Sequence, residues 1–104
     1  MISSIGQVQT PLASTYLQRL CKHFSKKIEV EYGETKGYAA FPYGRCRLQA
    51  DAETLIFHCE TEEAEAMLVM QDVISRHVGM FTKRNPLTVT WRDNGADRDS
   101  GGRQ

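Results

Sequence analysis

Two alternating segments, separated by a short polar turn, constrain the fold of this 104-residue chain more than any other feature. Polar and apolar side chains alternate along residues 45–50 and again along residues 55–60, and the turn between them spans residues 51–54. A period of two is typical of a strand that buries one face, and two such strands around a short turn predict an antiparallel hairpin. The chain is therefore expected to build a sheet with one buried face.

The register of this hairpin follows if Ala50 lies opposite Leu55, because a one-residue slip would turn every side chain to the other face. Three cross-strand pairs are then predicted. On the buried face, Cys46 lies opposite Cys59. On the outer face, Arg47 lies opposite His58 and Arg45 lies opposite Glu60.

Residues 11–26 have the 3.6-residue period of a half-buried helix. Thr10 and Pro11 supply an N-cap and a first-turn proline, so the helix is predicted to run from about Pro11 to Lys26. Its predicted buried stripe consists of Leu12, Tyr16, Leu17, Leu20 and Phe24.

A second helix is predicted after Thr61, its expected N-cap, and it stops at Asn85 and Pro86. Its first turn is acidic and its last turn is basic, which suits the helix macrodipole. The predicted buried stripe consists of Met67, Met70, Ile74, Val78 and Phe81.

Three further segments read as strands. Residues 28–32 alternate, residues 38–41 are a short apolar run before a bend at residues 42–44, and residues 87–92 form a closing strand. The side chains expected to point inward are Ile28, Val30, Tyr32, Leu87, Val89 and Trp91. Residues 4–10 alternate only weakly, and an additional edge strand there stays an open alternative.

The element order of helix, three strands, helix and strand predicts a two-layer α+β domain over residues 1–92. Its sheet is expected to be mostly antiparallel with about four strands, and both helices are expected to pack on one face. Residues 93–104 contain one alanine as their only apolar residue, so they cannot offset their ordering entropy by burial. A disordered C-terminal tail is predicted there.

The sequence predicts a cytoplasmic protein with reduced thiols. Its N-terminal residues have neither the basic nor the apolar segment of a secretory signal, and no apolar run approaches the roughly 18 residues that a membrane span needs. Three cysteines, Cys21, Cys46 and Cys59, are an odd number for a disulfide framework.

Charge is balanced overall but unevenly distributed. Residues 1–50 hold seven Lys and Arg against three Glu, a net charge of +4, and residues 51–104 hold six against ten, a net charge of −4. The total of zero argues against nucleic-acid binding. An anion site is predicted on the first helix, close to two arginines of the hairpin, from the residues Arg19, Lys22, His23, Lys26, Arg45 and Arg47. The alternative is a solvated helix face with Arg–Glu pairs across the sheet.

No metal site, catalytic residue or cofactor is predicted. Cys21 and His23 lie about 200° apart around a helix, and His58 and Cys59 point to opposite faces of a strand, so neither pair can chelate one ion. Glycine-rich phosphate loops and nucleophile elbows are also absent. Opposed strand cysteines are close enough for a disulfide, so a redox role of Cys46 with Cys59 stays an alternative.

Several segments resemble one bacterial family, the domain of unknown function 2218, over roughly residues 7–92. The resemblance is carried mainly by residues 20–23 (Leu-Cys-Lys-His) and 41–46 (Phe-Pro-Tyr-Gly-Arg-Cys), with Ile74-Ser-Arg-His77 and Trp91-Arg92. It implies a small stand-alone bacterial cytoplasmic protein without an established activity. Some members are similar to regions beside siderophore-interacting flavin reductases, which suggests iron handling.

The family resemblance also suggests site residues. Its first-helix motif often reads Cys-Lys-His-x-x-His-Lys, and this chain has Lys26 where the second histidine would stand. That departure disfavours a metal and favours an anion. The positions that match the family motifs are Lys22, His23, Gly44, Cys46, Arg76 and His77.

The leading functional hypothesis is a non-enzymatic binding or accessory domain for a small anionic ligand or an acidic protein partner, with a link to iron or siderophore metabolism. The alternative is a small thiol- or histidine-dependent enzyme or redox factor that uses Cys46 with Cys59, or His23. Homodimer formation through the sheet or the methionine-rich helix is left open.

Overall fold

The computed structural model describes residues 1–84 and 86–93. Six strands and two helices follow one another in chain order: β1 (Ile2–Gln9), α1 (Ala13–Phe24), β2 (Glu29–Tyr32), β3 (Lys36–Phe41), β4 (Gly44–Ala50), β5 (Thr54–Thr61), α2 (Ala64–Phe81) and β6 (Thr90–Asp93). The predicted helix stop at Asn85 and the tail from residue 94 onward lie outside the described residues. Asp93 belongs to β6, and its Oδ1 accepts hydrogen bonds from Ser4 Oγ at 2.9 Å and Gln71 Nε2 at 3.0 Å.

All strand pairs within the described residues are antiparallel, in the order β2-β3-β4-β5-β1-β6. The α+β prediction is confirmed, but the expected count of about four strands is too low. An edge strand over residues 4–10 was an open alternative. The strand is present as β1, but it lies inside the sheet between β5 and β6.

The weak alternation of β1 has a packing reason. Its buried positions include Ser4 and Gly6, which are too small or too polar to give an apolar pattern. A Cβ atom at residue 6 would lie 2.7 Å from Trp91 Cζ3 and 2.8 Å from Val89 Cγ1. This strand therefore needs small side chains where the end of the chain packs against it.

The β4–β5 hairpin has the predicted register. Cys46 pairs with Cys59, Arg47 with His58 and Arg45 with Glu60. The turn is held by Asp51, whose Oδ1 accepts hydrogen bonds from the backbone N–H groups of Glu53 and Thr54 at 3.0 and 2.8 Å. Such a local aspartate turn fixes the strand ends and with them the pairing.

Both helices pack on the same face of the sheet, as predicted, and one hydrophobic core joins them to the inward-facing strand residues. The predicted stripe of α2 is confirmed: four of its five residues are buried and Phe81 is partly buried. Trp91 is also partly buried, and its Nε1 donates to Ser75 Oγ of α2 at 2.9 Å. No helix in residues 1–84 or 86–93 is long and apolar enough to span a membrane.

Several predicted boundaries are wrong. Helix α1 spans Ala13–Phe24 rather than Pro11 to Lys26. It begins late because Thr10 Oγ1 accepts from Leu12 N–H in a turn that precedes it, and Leu12 is 50% exposed. Cys21 takes a buried position on α1 instead.

At the other elements, Thr61 ends β5 rather than capping α2, and its hydroxyl donates to the Glu63 carbonyl at 2.9 Å. Strand β6 begins at Thr90 rather than at residue 87. Tyr32 is 44% exposed, because β2 is an edge strand that is not covered from outside.

Candidate functional site

The residues predicted to form one basic site lie on opposite sides of the sheet. Cys46 is buried beneath the helices, so its strand neighbours Arg45 and Arg47 are exposed on the face that the helices leave open. The exposed cations of α1 are on the helix side: Arg19 and Lys22, followed by Lys26 just after the helix end. The expected proximity between the helix stripe and the hairpin arginines is therefore wrong.

Two of the candidate cations are already paired. Arg45 Nε lies 2.8 Å from Glu60 Oε1, the cross-strand partner predicted from the register, and this hydrogen bond raises the pKa of Arg45 above its usual value. Arg76 Nε lies 2.9 Å from Asp72 Oδ2 along α2. Exposed pairs of this kind contribute little stability. In each pair, however, the carboxylate largely neutralises the charge of the arginine.

Gly44 has a packing role. A Cβ atom at this position would collide with the Glu60 carbonyl oxygen and would lie 2.6 Å from Thr61 Cγ2 and 3.0 Å from Met70 Cε. Only glycine lets β4 begin this close to β5 and α2. The match of Gly44 to the family motif therefore has a structural explanation.

Cys46 and Cys59 face one another as predicted, with the Cys59 thiol donating to Cys46 Sγ over 3.6 Å. Both are free and buried, as is Cys21. Burial raises the pKa of Cys46 well above its usual value and raises that of Cys21 to about 11. Thiolates are the reactive species, so this environment disfavours the thiol-dependent enzyme and favours packing.

We expect the folded protein to react with Ellman's reagent only on the timescale of its unfolding, because a buried, protonated thiol is a poor nucleophile. After unfolding in guanidinium, three thiols should be counted, and the count should be the same with and without prior reduction. A count that rises by two after reduction would reveal a disulfide and would revive the redox alternative.

A polar groove of about 600 Å³ lies on the open face of the sheet. Its base is a cross-strand row in which Tyr38 pairs with Arg47 and Arg47 pairs with His58. We call it the open-face groove, and its lining residues are Glu31, Tyr32, Lys36, Gly37, Tyr38, Arg47, Leu48, Gln49 and His58.

The open-face groove contains two uncompensated cations. Within residues 1–84 and 86–93, the Arg47 guanidinium and the Lys36 ammonium have no carboxylate at ion-pair distance. Glu31 is the one acidic residue in the lining, against these two cations. Tyr38, His58 and Gln49 add hydrogen-bonding groups, so the groove can offer several donors to one anion.

The next groove along the same face has a different electrostatic character. It has a volume of about 640 Å³ and shares Tyr38 with the open-face groove. Phe41 and Tyr43 line it as a stacked pair with ring centroids 5.6 Å apart. Its charged side chains are those of Arg45, Glu60, Glu62 and Glu63. Three carboxylates against one paired arginine make this groove unsuited to an anion.

His23 and His77 come together where α1 contacts α2, with ring centroids 4.9 Å apart. Phe24 lies 5.1 Å from the His77 ring, and Phe81 lies 5.7 Å from the His23 ring. Burial, followed by the influence of His77 and of two neighbouring lysines, lowers the pKa of His23. Both rings are half-buried and form a junction that is separate from the open-face groove.

Of the groove residues, the sequence predicted only Arg47 as a site residue, and it did not place His58, Lys36 and Tyr38 there. The pairing of Arg47 with His58 was predicted and could have identified His58 as a neighbour. Lys36 and Tyr38 could not be placed, because the alternation pattern does not specify how β3 pairs with β4. Their positions depend on the turn after β2, which is closed by a hydrogen bond from Gly33 N–H to the Lys36 carbonyl at 2.8 Å.

Comparison with known proteins gives a family and a structural neighbour. No curated protein matches the chain significantly. The fold is similar to the NMR structure of PA4090 from Pseudomonas aeruginosa, with a TM-score of 0.75 and 28% sequence identity over 88% of this chain and 96% of that one. Residues 6–92 match the family described as "Uncharacterized protein conserved in bacteria (DUF2218)". Because this match covers most of the chain, the protein belongs to the DUF2218 family.

Proposed function

We propose that this protein is a non-enzymatic binding domain that holds a small anionic ligand in the open-face groove. The observation that carries the proposal is the pair of cations, Arg47 and Lys36, that line one groove without an acidic partner at ion-pair distance. Ionised side chains without partners are the groups that gain most from binding an oxyanion.

The chemistry of the groove favours a carboxylate or phosphate group. An arginine guanidinium can donate two parallel hydrogen bonds to such a group, and Lys36 adds a second positive charge. Tyr38 supplies aromatic surface for the apolar part of a ligand. The volume of about 600 Å³ falls within the range typical of small-molecule sites.

The open-face groove is favoured over the basic stripe of α1. Arg47, Tyr38 and His58 come from three neighbouring strands whose backbones are hydrogen-bonded together, so their relative positions are rigid. On α1, the cations are exposed side chains of a single helix, where solvent and salt screen the charge. The stripe remains the alternative site, for an acidic protein partner.

A ligand screen read by thermal shift tests the proposal. The probes are inorganic phosphate, flavins, haem and ferric siderophores, the last included because the family resemblance suggests iron handling. For a probe that raises the melting temperature, we expect Arg47→Ala to weaken binding roughly 10- to 100-fold, since a hydrogen bond to a charged group contributes about 1.5–3 kcal/mol. Lys36→Ala should also weaken binding of that probe.

The control is the double variant Arg19→Ala with Lys22→Ala, which alters α1 and leaves the open-face groove and both helix histidines intact. We expect it to bind like the wild type. Loss of binding in this control together with retention in Arg47→Ala would move the site to the helix. Failure of every probe to stabilise the protein would contradict the proposal. Sedimentation velocity in the same buffers tests whether a homodimer covers this face.

A further inference from the structure

We infer that His23 and His77 form a two-histidine binding site for a divalent transition metal such as Ni²⁺ or Zn²⁺, with exogenous ligands completing the coordination. Imidazole nitrogens are common ligands for these ions, and sites that keep open positions bind water or small anions there. The inference is independent of the proposed function, because the site lies between the helices and contains none of the groove residues.

The separation of the two rings suits a shared ion. Metal–nitrogen bonds of about 2.0–2.1 Å place the ion about 3 Å from each ring centroid, and a tetrahedral angle then separates the centroids by about 5 Å. The observed centroid distance is 4.9 Å, with the ring planes inclined by 53°. The spacing of the two ring centroids is therefore compatible with chelation of one ion.

One of the rings is oriented by the backbone. His77 Nδ1 lies 2.7 Å from the Val73 carbonyl oxygen. A carbonyl can only accept, so Nδ1 carries the proton and the Nε2 lone pair stays available. A histidine that donates its second ring nitrogen to a backbone carbonyl is the usual outer-shell arrangement around a bound metal.

The other ring is also available. Neither ring nitrogen of His23 has a hydrogen-bond partner in the part of the chain that the structure describes. In its neutral form such a ring offers a free lone pair to a metal ion. The positive charges of Lys26 and Lys27 act on the same ring and oppose a divalent cation as they oppose a proton, and an anion on the open positions would offset them.

The sequence disfavours a metal site because it contains no chelating pair within one helix. The second ligand comes instead from α2, and nothing in the spacing along the chain indicates that the two helices meet at these positions. No group of three metal-ligating side chains is found among the described residues. We therefore expect an open site with micromolar rather than nanomolar affinity.

The experiment is a titration of the full chain with Ni²⁺ and with Zn²⁺ by isothermal calorimetry at pH 7.5. We expect one ion per chain and at least a tenfold loss of affinity in His23→Ala and in His77→Ala. The third histidine provides the control, because His58 lies on the open face of the sheet. His58→Ala should bind like the wild type, and circular dichroism should show that all variants are folded.

A second measurement keeps the test decisive if an alanine variant unfolds. In imidazole NMR spectra of the wild type, the ring signals of His23 and His77 should shift or broaden as Ni²⁺ is added, while those of His58 stay unchanged. The inference is overturned if no binding occurs below 1 mM metal, if either alanine variant keeps wild-type affinity, or if His58 responds alone.

Discussion

Replacing Gly44 with alanine is expected to lower the free energy of unfolding by about 1–3 kcal/mol, the usual cost of overpacking. The new Cβ atom would collide with the Glu60 carbonyl oxygen and approach Thr61 Cγ2 to 2.6 Å. Gly44 pairs with Thr61 in the sheet, so these atoms cannot retreat without loosening the β4–β5 ladder. Urea denaturation, followed by circular dichroism, measures the loss.

The matched control is Gly79→Ala. Gly79 lies inside α2, and a Cβ atom there would meet nothing within 4 Å. Alanine should therefore raise the free energy of unfolding by about 0.5–1 kcal/mol, because it reduces the freedom of the unfolded chain. If Gly44→Ala raises the free energy of unfolding as Gly79→Ala does, the close approach at Gly44 does not make a larger side chain destabilising.

Phe57→Ala should have a larger effect, lowering the free energy of unfolding by about 3–5 kcal/mol. Phe57 is fully buried on the inner face of β5, where it pairs with Leu48 and Gly6 and lies 6.3 Å from the Trp91 ring. Its removal loses apolar burial and leaves a cavity between the sheet and the helices. A domain of this size has a total stability of about 5–15 kcal/mol, so the variant should lie close to its unfolding threshold.

Ile56→Ala is the control for Phe57→Ala. Ile56 precedes Phe57 on the same strand but faces the opposite side, where it is only half-buried. Its truncation should cost about 1 kcal/mol. If Phe57→Ala does not fold, Phe57→Leu keeps most of the volume and should show a smaller loss. Equal losses at Ile56 and Phe57 would contradict a core confined to one face of the sheet.

The elements that could be predicted are those whose own side chains decide their structure. The hairpin register was correct because a slip of one residue would turn Cys46, Leu48 and Phe57 to the open face, and the short turn at Asp51 fixes which residues pair. The buried stripe of α2 was also predicted correctly, because its own apolar residues recur on one face of the helix. Strand β1 was not recognised as an interior strand, because Gly6 is buried against Trp91 and Ser4 is buried where it donates to Asp93, and both partners lie far along the chain.

The candidate sites depend on contacts that no local pattern encodes. The outward direction of Arg47 was predictable, but its neighbours Lys36 and Tyr38 are placed by the pairing of β3 with β4. The contact between His23 and His77 depends on how the two helices pack against the same sheet. Periodicity identifies the faces of each element, and tertiary packing decides which faces meet.

The interior position of β1 determines the order in which the sheet can be completed during synthesis. Its partners β5 and β6 both follow it in the sequence, and the hydrogen bond from Ser4 to Asp93 joins residues 89 positions apart. Loop closure over such distances is costly and slow. Strand β1 therefore cannot complete its pairing until β6 has been synthesised, and until then one of its edges is unpaired and can associate with other nascent chains.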